Sequence, residues 1–393
     1  MRKAGGCLTS TTRRGHEAAA ARGQGMRAVL AAHMGLVLAG LFSFVLMGAG
    51  QSLYGPALPA FAREFGISTG QAGFLISAHW VGSVLGVAVI YVRGDRVSPR
   101  MALAAMGLGA LIVGLGVGWA ATLIGALVLG LGYGASTVIY NRRFLMIFGP
   151  RGPSMLALLN AIFGIGAIAA PLAFVAIGSD PGMAYLGVAG LCAITFALAG
   201  PVAPIAVPTG ASGRFVVRPA ILTFGALAIG IEACLIGLGP TALIAQGQTE
   251  ARAAELLSLF FVAFLAMRLA LVGFAGRVPP FTLYLAAMAG AAVCAAGSAL
   301  TGHAAWFIAI GGCAGLFFPG YYLSGTRAMG DDGRVAPTLI AAGMAGGIAA
   351  PVLMAAVMAH AGDAAFFAVV AGVTGAGALA ALALRPRMSL AAM

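Results

Sequence analysis

Twelve long apolar runs, at about 28–59, 68–92, 101–119, 121–141, 155–178, 183–206, 219–244, 253–275, 281–300, 304–325, 335–359 and 364–384, take up most of this 393-residue chain. Each is close to the roughly 20 residues a helix needs to cross the hydrocarbon core of a bilayer. The runs are continuous rather than alternating, which favours helices over a membrane β-barrel. Only 8% of residues are charged, against about a quarter in an ordinary soluble domain. A soluble fold of this length lacks the polar residues to cover its outside. The 60 glycines follow no Gly-X-Y period, which excludes collagen, and the apolar content excludes disorder. The fold class is therefore an all-α polytopic membrane protein with twelve transmembrane helices.

The formal net charge of +12 would suggest nucleic acid in a soluble protein. Here its meaning lies in where the cations fall. If both termini are cytoplasmic, nineteen of the 22 arginines and lysines lie at cytoplasmic ends, and only Arg63, Arg252 and Arg268 stand elsewhere. The opposite side carries Glu64, Asp180, Glu250, Glu255 and Asp363. This asymmetry is the positive-inside rule, and one missed span would destroy it. It predicts a multi-pass protein of the cytoplasmic (inner) membrane, with the lipid bilayer and not nucleic acid as its partner. Residues 1–27 read as a disordered cytoplasmic tail without the apolar core of a signal peptide. Met26-Arg27, directly before the first run, marks an alternative start. The five cysteines show no CxxC spacing, so neither a disulfide framework nor a metal site follows, and no cofactor is expected.

The chain also repeats itself. Gly166-Ala167-Ile168-Ala169-Ala170-Pro171 in the fifth span returns 180 residues later as Gly346-Gly347-Ile348-Ala349-Ala350-Pro351 in the eleventh. Gly130, Gly134 and Tyr140 return as Gly311, Gly315 and Tyr321, and Arg96-Val97-Ser98-Pro99 as Arg277-Val278-Pro279-Pro280, each 181 residues on. Three segments in register give two six-helix pseudo-repeats, at 28–200 and 218–384. A Pro/Gly/Ser-rich cytoplasmic linker at 201–217 joins them, and 385–393 form a cytoplasmic tail. Parallel halves of this kind rock against each other around a site near the midplane.

The loop after the second span reads Gly94-Asp95-Arg96-Val97-Ser98-Pro99-Arg100. With twelve spans and a six-plus-six repeat, it resembles the loop signature of the major facilitator superfamily. Asp95, Arg96 and Arg100 fit; Tyr91 and Ser98 stand where the family usually has glycine. Leu159-Asn160 through Phe163-Gly164-Ile165-Gly166 to Pro171, and Gly230-Ile231-Glu232, are similar to the sugar-permease branch that includes fucose permeases. Pro171 sits where exporters of the family carry Gly-Pro, but Ala170 precedes it here. The resemblance implies a monomeric transporter whose first, fourth, seventh and tenth helices line a central cavity. A carboxylate at the membrane surface binds a neighbouring arginine or a helix N-terminus. Asp95, with Arg96 and Arg100, is thus a candidate conformational latch for the outward-open state; the alternative is a solvated loop charge of little worth.

Charges inside spans are costly and face a partner or a wet cavity. Glu232 lies about 13 residues into the seventh span, roughly 20 Å along it. It is a candidate proton carrier or substrate acceptor, or else a structural partner of another helix. Arg268, in the eighth span, is a candidate for substrate contact, for pairing with Glu232 or with Asp331 or Asp332, and for snorkelling. The family resemblance puts it at the Gly-Arg of the eighth helix, with Met267 in place of glycine. His79 titrates near neutral pH when unperturbed and is also read as a packing histidine. Gln51, Tyr54, Tyr133, Asn160, Tyr321 and Tyr322 are candidate cavity hydrogen-bonders. Pro171, Pro240, Pro319 and Pro351 are expected to interrupt their helices, with Pro171 and Pro351 as bends that serve gating.

These features predict a secondary transporter that moves a small solute, sugar-like or amphipathic, by alternating access with proton coupling. No Gly-x4-Gly-Lys-Ser/Thr loop is present for direct ATP use. The alternatives are a proton-antiport efflux pump for drugs or metabolites and, more remotely, a non-transporting membrane sensor. An embedded enzyme would need a nucleophile–base pair or metal cluster within the spans, and neither occurs.

Overall fold

The computed structural model describes residues 30–94, 96–199, 213–274 and 277–390. The predicted tail at 1–27 lies outside these residues, as do Asp95 and residues 201–212 of the linker. The described residues form helices and short connections, with no strand. Eleven helices are long and apolar enough to cross a membrane, and the helix Pro99–Gly114 is a shorter apolar one. These give the twelve spans expected, as two six-helix halves. Several begin with an N-cap and a proline at the first helical position, where the missing N–H costs nothing. Ser98 accepts from Met101 N at 3.3 Å ahead of Pro99. Asp180 accepts from Met183 N at 3.0 Å ahead of Pro181.

Three spans are interrupted at single points. The first runs as Met34–Ser52 and Tyr54–Phe65, the seventh as Pro219–Gly237 and Gly239–Ala245, and the tenth as Ala305–Ala314 and Phe317–Met329. The fourth, Trp119–Phe148, is unbroken. Proline explains the difference, because it lacks the N–H that would bond the carbonyl four residues back. Pro56, Pro240 and Pro319 each follow a break within a few residues, and the fourth span contains no proline. The first span breaks at Leu53 and continues as a packed helix, burying Tyr54, Ala57, Leu58 and Phe61. Pro171 and Pro351 do not interrupt the fifth or eleventh span, which run on as Gly152–Ala176 and Val335–Ala361. Three residues before Pro351, Ser77 Oγ donates a 2.6 Å hydrogen bond across to Ile348 O. The fourth span also outruns its apolar run, so Arg142 and Arg143 stand on helix, not loop. There the Arg142 guanidinium carbon lies 5.5 Å from the Tyr91 ring centroid.

The sequence repeat holds at the level of contacts. A Cβ on Gly130 would lie 2.0 Å from His79 O, and one on Gly134 2.0 Å from Ser83 O. Their partners 181 residues on, Gly311 and Gly315, meet Phe260 O and Phe264 O at 2.3 and 2.5 Å. Those carbonyls belong to the residues 181 after His79 and Ser83. Gly166 likewise meets Val45 O at 2.0 Å, and Gly346 meets Ala226 O at 1.8 Å. Small residues thus let the same pairs of helices touch backbone to backbone in both halves.

The arginine-bearing ends of the spans, with Arg93, Arg142, Arg218 and Arg327, define a cation-rich end of the molecule. Contacts between the halves concentrate at the far end. Arg63 forms a bidentate ion pair with Glu250, whose second hydrogen bond, Nη2 to Oε2, measures 3.1 Å. Thr69 Oγ1 donates to Asp363 Oδ2 at 3.4 Å. A Cβ on Gly55 would lie 2.3 Å from Ile236 O, and one on Gly73 2.5 Å from Pro351 O. At the cation-rich end the end of the linker is stitched to the loop after the tenth span. Arg214 N donates to Asp331 Oδ1 at 2.9 Å and Val216 N to Met329 O at 2.9 Å.

In the same loop Asp332 accepts from Arg334 N and Nε at 2.8 and 2.9 Å. Arg334, whose guanidinium stacks on Phe215 at 4.6 Å, holds the Asp332 carboxyl below the usual carboxylate range. A lowered folded-state value makes this contact stabilising above the carboxyl's unfolded value and lost as pH falls through the folded one. Asp332→Asn should therefore lower the melting temperature at neutral pH by more than it does in acid. A difference that is equal at both pH values would remove the carboxylate from the account.

Candidate functional site

A cavity of about 180 Å³ lies between the halves, with walls from both. Gln51, Trp80, Tyr133, Thr137, Asn141, Asn160 and Phe163 come from the first half. Glu232, Ile236, Phe261, Phe264, Arg268 and Phe318 come from the second. The first, fourth, seventh and tenth spans contribute, as the family resemblance implied, and the second, fifth and eighth do too. The contacts between halves close it at the far end. Towards the cation-rich end exposure increases, from buried Gln51 through half-buried Glu232 to exposed Asn160.

The polar groups of the two halves are fixed differently. In the first half Tyr133 Oη donates to Gln51 Oε1 at 3.1 Å. His79 packs its ring 5.0 Å from Tyr133, centroid to centroid, and its Nδ1 meets Tyr54 Oη at 3.2 Å. Tyr54 and His79 are both buried and neither lines the cavity. They form a buttress behind Tyr133. Asn160 does line it, with Nδ2 bonded to Leu156 O at 2.9 Å.

In the second half Glu232 reaches the cavity with its Oε2 buried and without a hydrogen-bond partner. A buried carboxylate oxygen left unpaired is expensive, so this atom calls for a proton, a ligand or a cavity water. Arg268 lines the same cavity and the two charges feel each other, but no ion pair within 4 Å joins them. Arg268 Nε instead donates to Gly315 O at 3.1 Å. That carbonyl is the one Pro319 cannot bond, four residues on. The guanidinium also lies 4.2 Å from the Phe264 ring centroid, a cation–π contact. Asp331 and Asp332 are engaged with Arg214 and Arg334, so neither partners Arg268.

The repeat relates the two polar poles: 181 residues separate Gln51 from Glu232, and both face the cavity. The structure brings together Gln51, Tyr133, Asn160, Glu232 and Arg268 from the candidates named above. Tyr321 is instead buried against Gly225, and Tyr322 stacks on Phe318 with ring centroids 5.0 Å apart. Asn141 and Thr137 were not anticipated. Their signal was available, since Tyr133, Thr137 and Asn141 recur every four residues and share one helix face. Of the latch candidates, Asp95 lies outside the described residues. Arg100 is held within its own half, donating to Phe196 O at 3.2 Å. No group of three or more metal-ligating side chains occurs among the described residues.

A family model described as the Major Facilitator Superfamily matches residues 40–337. No curated protein matches the chain. Among solved structures the fold is similar to the nucleoside transporter NupG, at 15% identity and a TM-score of 0.71, over 89% of this chain and 98% of that one. It is similar to a D-xylose–proton symporter at 13% identity and a TM-score of 0.69, over 89% and 96%. It is also similar to FucP in its outward conformation at 18% identity and a TM-score of 0.59, over 88% and 97%. At these identities the likeness is one of fold.

Proposed function

Since the chain belongs to the major facilitator superfamily, and so is a membrane transporter rather than an enzyme, we propose that it carries a small solute by alternating access, with proton coupling at Glu232. The observation that carries this reading is the unpartnered buried oxygen of Glu232 in a cavity closed at one end and shared by both halves. The solute binds between Gln51, Tyr133 and Asn160 on one side and Glu232 on the other. Glu232 bears a proton in one state and faces the solute or Arg268 in the next. The positive-inside rule puts the cation-rich end, and with it both termini, in the cytoplasm of a cell bounded by this membrane. The state described is then inward-open, and the chain works as a monomer.

The test is uptake into proteoliposomes across a panel of sugars, nucleosides and organic anions, with an imposed pH difference. Accumulation that a protonophore abolishes is the expected result. Accumulation of a panel member that ignores the protonophore would overturn the coupling.

The Arg63–Glu250 pair closes the far end in this state and must open in the other. Arg63 is exposed and Glu250 half-buried, at 62% and 35%, so the pair is worth on the order of 0.2–1 kcal/mol. Arg63→Glu should shift the population towards outward-open by a few-fold, and adding Glu250→Arg should shift it back. Spin-label distances across the far end read this directly. A double variant no closer to the parent than the single would remove the pair from the gate.

A further inference from the structure

The central cavity does not end at its polar wall. Spans five and eight meet at mid-depth, where a Cβ on Gly164 would lie 3.0 Å from the Leu265 side chain. About one helical turn nearer the cation-rich end they part. A second cavity of about 220 Å³ fills the gap between them, walled by Ala157, Ala161, Leu265 and Leu269. Asn160, Arg268 and Phe318 line both cavities, so the two spaces adjoin at these side chains. The outer wall faces away from the protein: Ala157 is exposed, and Leu269 is 56% exposed.

At the junction stands an incompletely used cation. Arg268 has five N–H donors in a fixed fork, and its one hydrogen bond is from Nε to Gly315 O. Its terminal nitrogens therefore have no acceptor among the described residues. A forked guanidinium fits an oxyacid head group bidentately. An apolar trough beside it, at the level of the membrane, fits a hydrocarbon chain.

We propose that the gap between spans five and eight admits a single-chain amphiphile with an anionic oxyacid head, the head seated on Arg268 and Asn160 and the chain lying along Ala161, Leu265 and Leu269. This rests on the transporter reading and names the substrate class of its cavity. The solute enters sideways from the cation-rich leaflet. Glu232 shares the cavity with the head and bears like charge when ionised, so the carboxylate and the bound anion compete for the field of Arg268.

The test measures binding at equilibrium, without a gradient, on the full chain in nanodiscs of zwitterionic phosphatidylcholine. Partition into empty nanodiscs is subtracted. The probes are radiolabelled dodecyl phosphate, butyl phosphate and dodecyl maltoside. Dodecyl phosphate should bind at least tenfold more tightly than either of the others. Arg268→Gln should weaken both phosphates at least tenfold. Leu269→Trp, at an exposed position on the trough, should weaken dodecyl phosphate alone. Ala161→Leu is a milder filling of the same trough and should act in the same direction. Equal affinity for the two phosphates, or no response to either trough variant, would overturn the proposal. So would dodecyl maltoside binding as tightly as dodecyl phosphate, which would make the gap a site for any bilayer chain. The two readings fail separately. Failure here with proton-driven uptake of another solute leaves the coupling at Glu232 standing. Binding as described with no response to a pH difference removes the coupling and leaves the substrate class.

Discussion

Replacing Glu232 by glutamine is expected to abolish accumulation driven by a pH difference while leaving gradient-free exchange of solute measurable. Glutamine keeps the size of the side chain and its capacity to accept a hydrogen bond, but cannot take up or release a proton. Among the residues lining the cavity no other carboxyl is present to substitute. The accumulation ratio in proteoliposomes should fall to about one, and solute-induced pH change should vanish with it. Glu232→Asp keeps the titrating group, displaced by one methylene, and should keep part of the coupling. If the glutamine variant still concentrates solute against a gradient, the proton travels elsewhere.

Gly346→Val should be the most damaging of the small substitutions. The added Cβ alone would lie 1.8 Å from Ala226 O, against an ordinary carbon–oxygen contact of about 3.3–3.6 Å. Both atoms sit on helical backbone, so spans seven and eleven must move apart as bodies. Overpacking costs about 1–3 kcal/mol and at times more, and this position stands at the upper end. A fall in melting temperature of about 4 °C follows for a chain of this size. Gly166→Val, whose Cβ would meet Val45 O at 2.0 Å, should behave alike. Gly187→Ala is the control, since nothing lies within 4 Å of its Cβ position. Thermal unfolding monitored by size-exclusion chromatography separates these outcomes. Equal melting temperatures for the Gly346 variant and the control would mean that the helices are not held as described.

Much of the fold was legible because membrane helices are written in long apolar runs, and because the repeat preserves the glycines at backbone contacts. Depth was legible too, since each residue advances a helix by a fixed rise, and Glu232 was found by depth alone. Direction around the helix axis was not. In a soluble protein the polar stripe marks the outside, whereas here both faces of a span are apolar. Tyr54 therefore reads as the equal of Tyr133, although only Tyr133 reaches the cavity. Tyr321 and Tyr322 are neighbours in the chain, and neither lines it. The partner of Arg268 was illegible for another reason. Gly315 O becomes an acceptor only because Pro319 leaves it unbonded, and it lies 47 residues away from the arginine. The joined cavities between spans five and eight depend on where two helices part, which residue types alone do not encode.

The unequal poles of the cavity set a limit on what such a machine can do. Duplication placed an amide at Gln51 and an acid at Glu232, so one ionisable carboxyl serves each turn of the cycle. With coupling at Glu232 as proposed, one proton per solute is the expected stoichiometry. If the passenger crosses as a monoanion, each cycle moves no net charge across the bilayer. Membrane voltage then does no work on it, and the pH difference alone sets the ceiling. One pH unit corresponds to about 1.36 kcal/mol, or about a tenfold concentration ratio. Under that coupling, the distribution of a monoanion would follow acidity, and depolarisation would leave it unchanged.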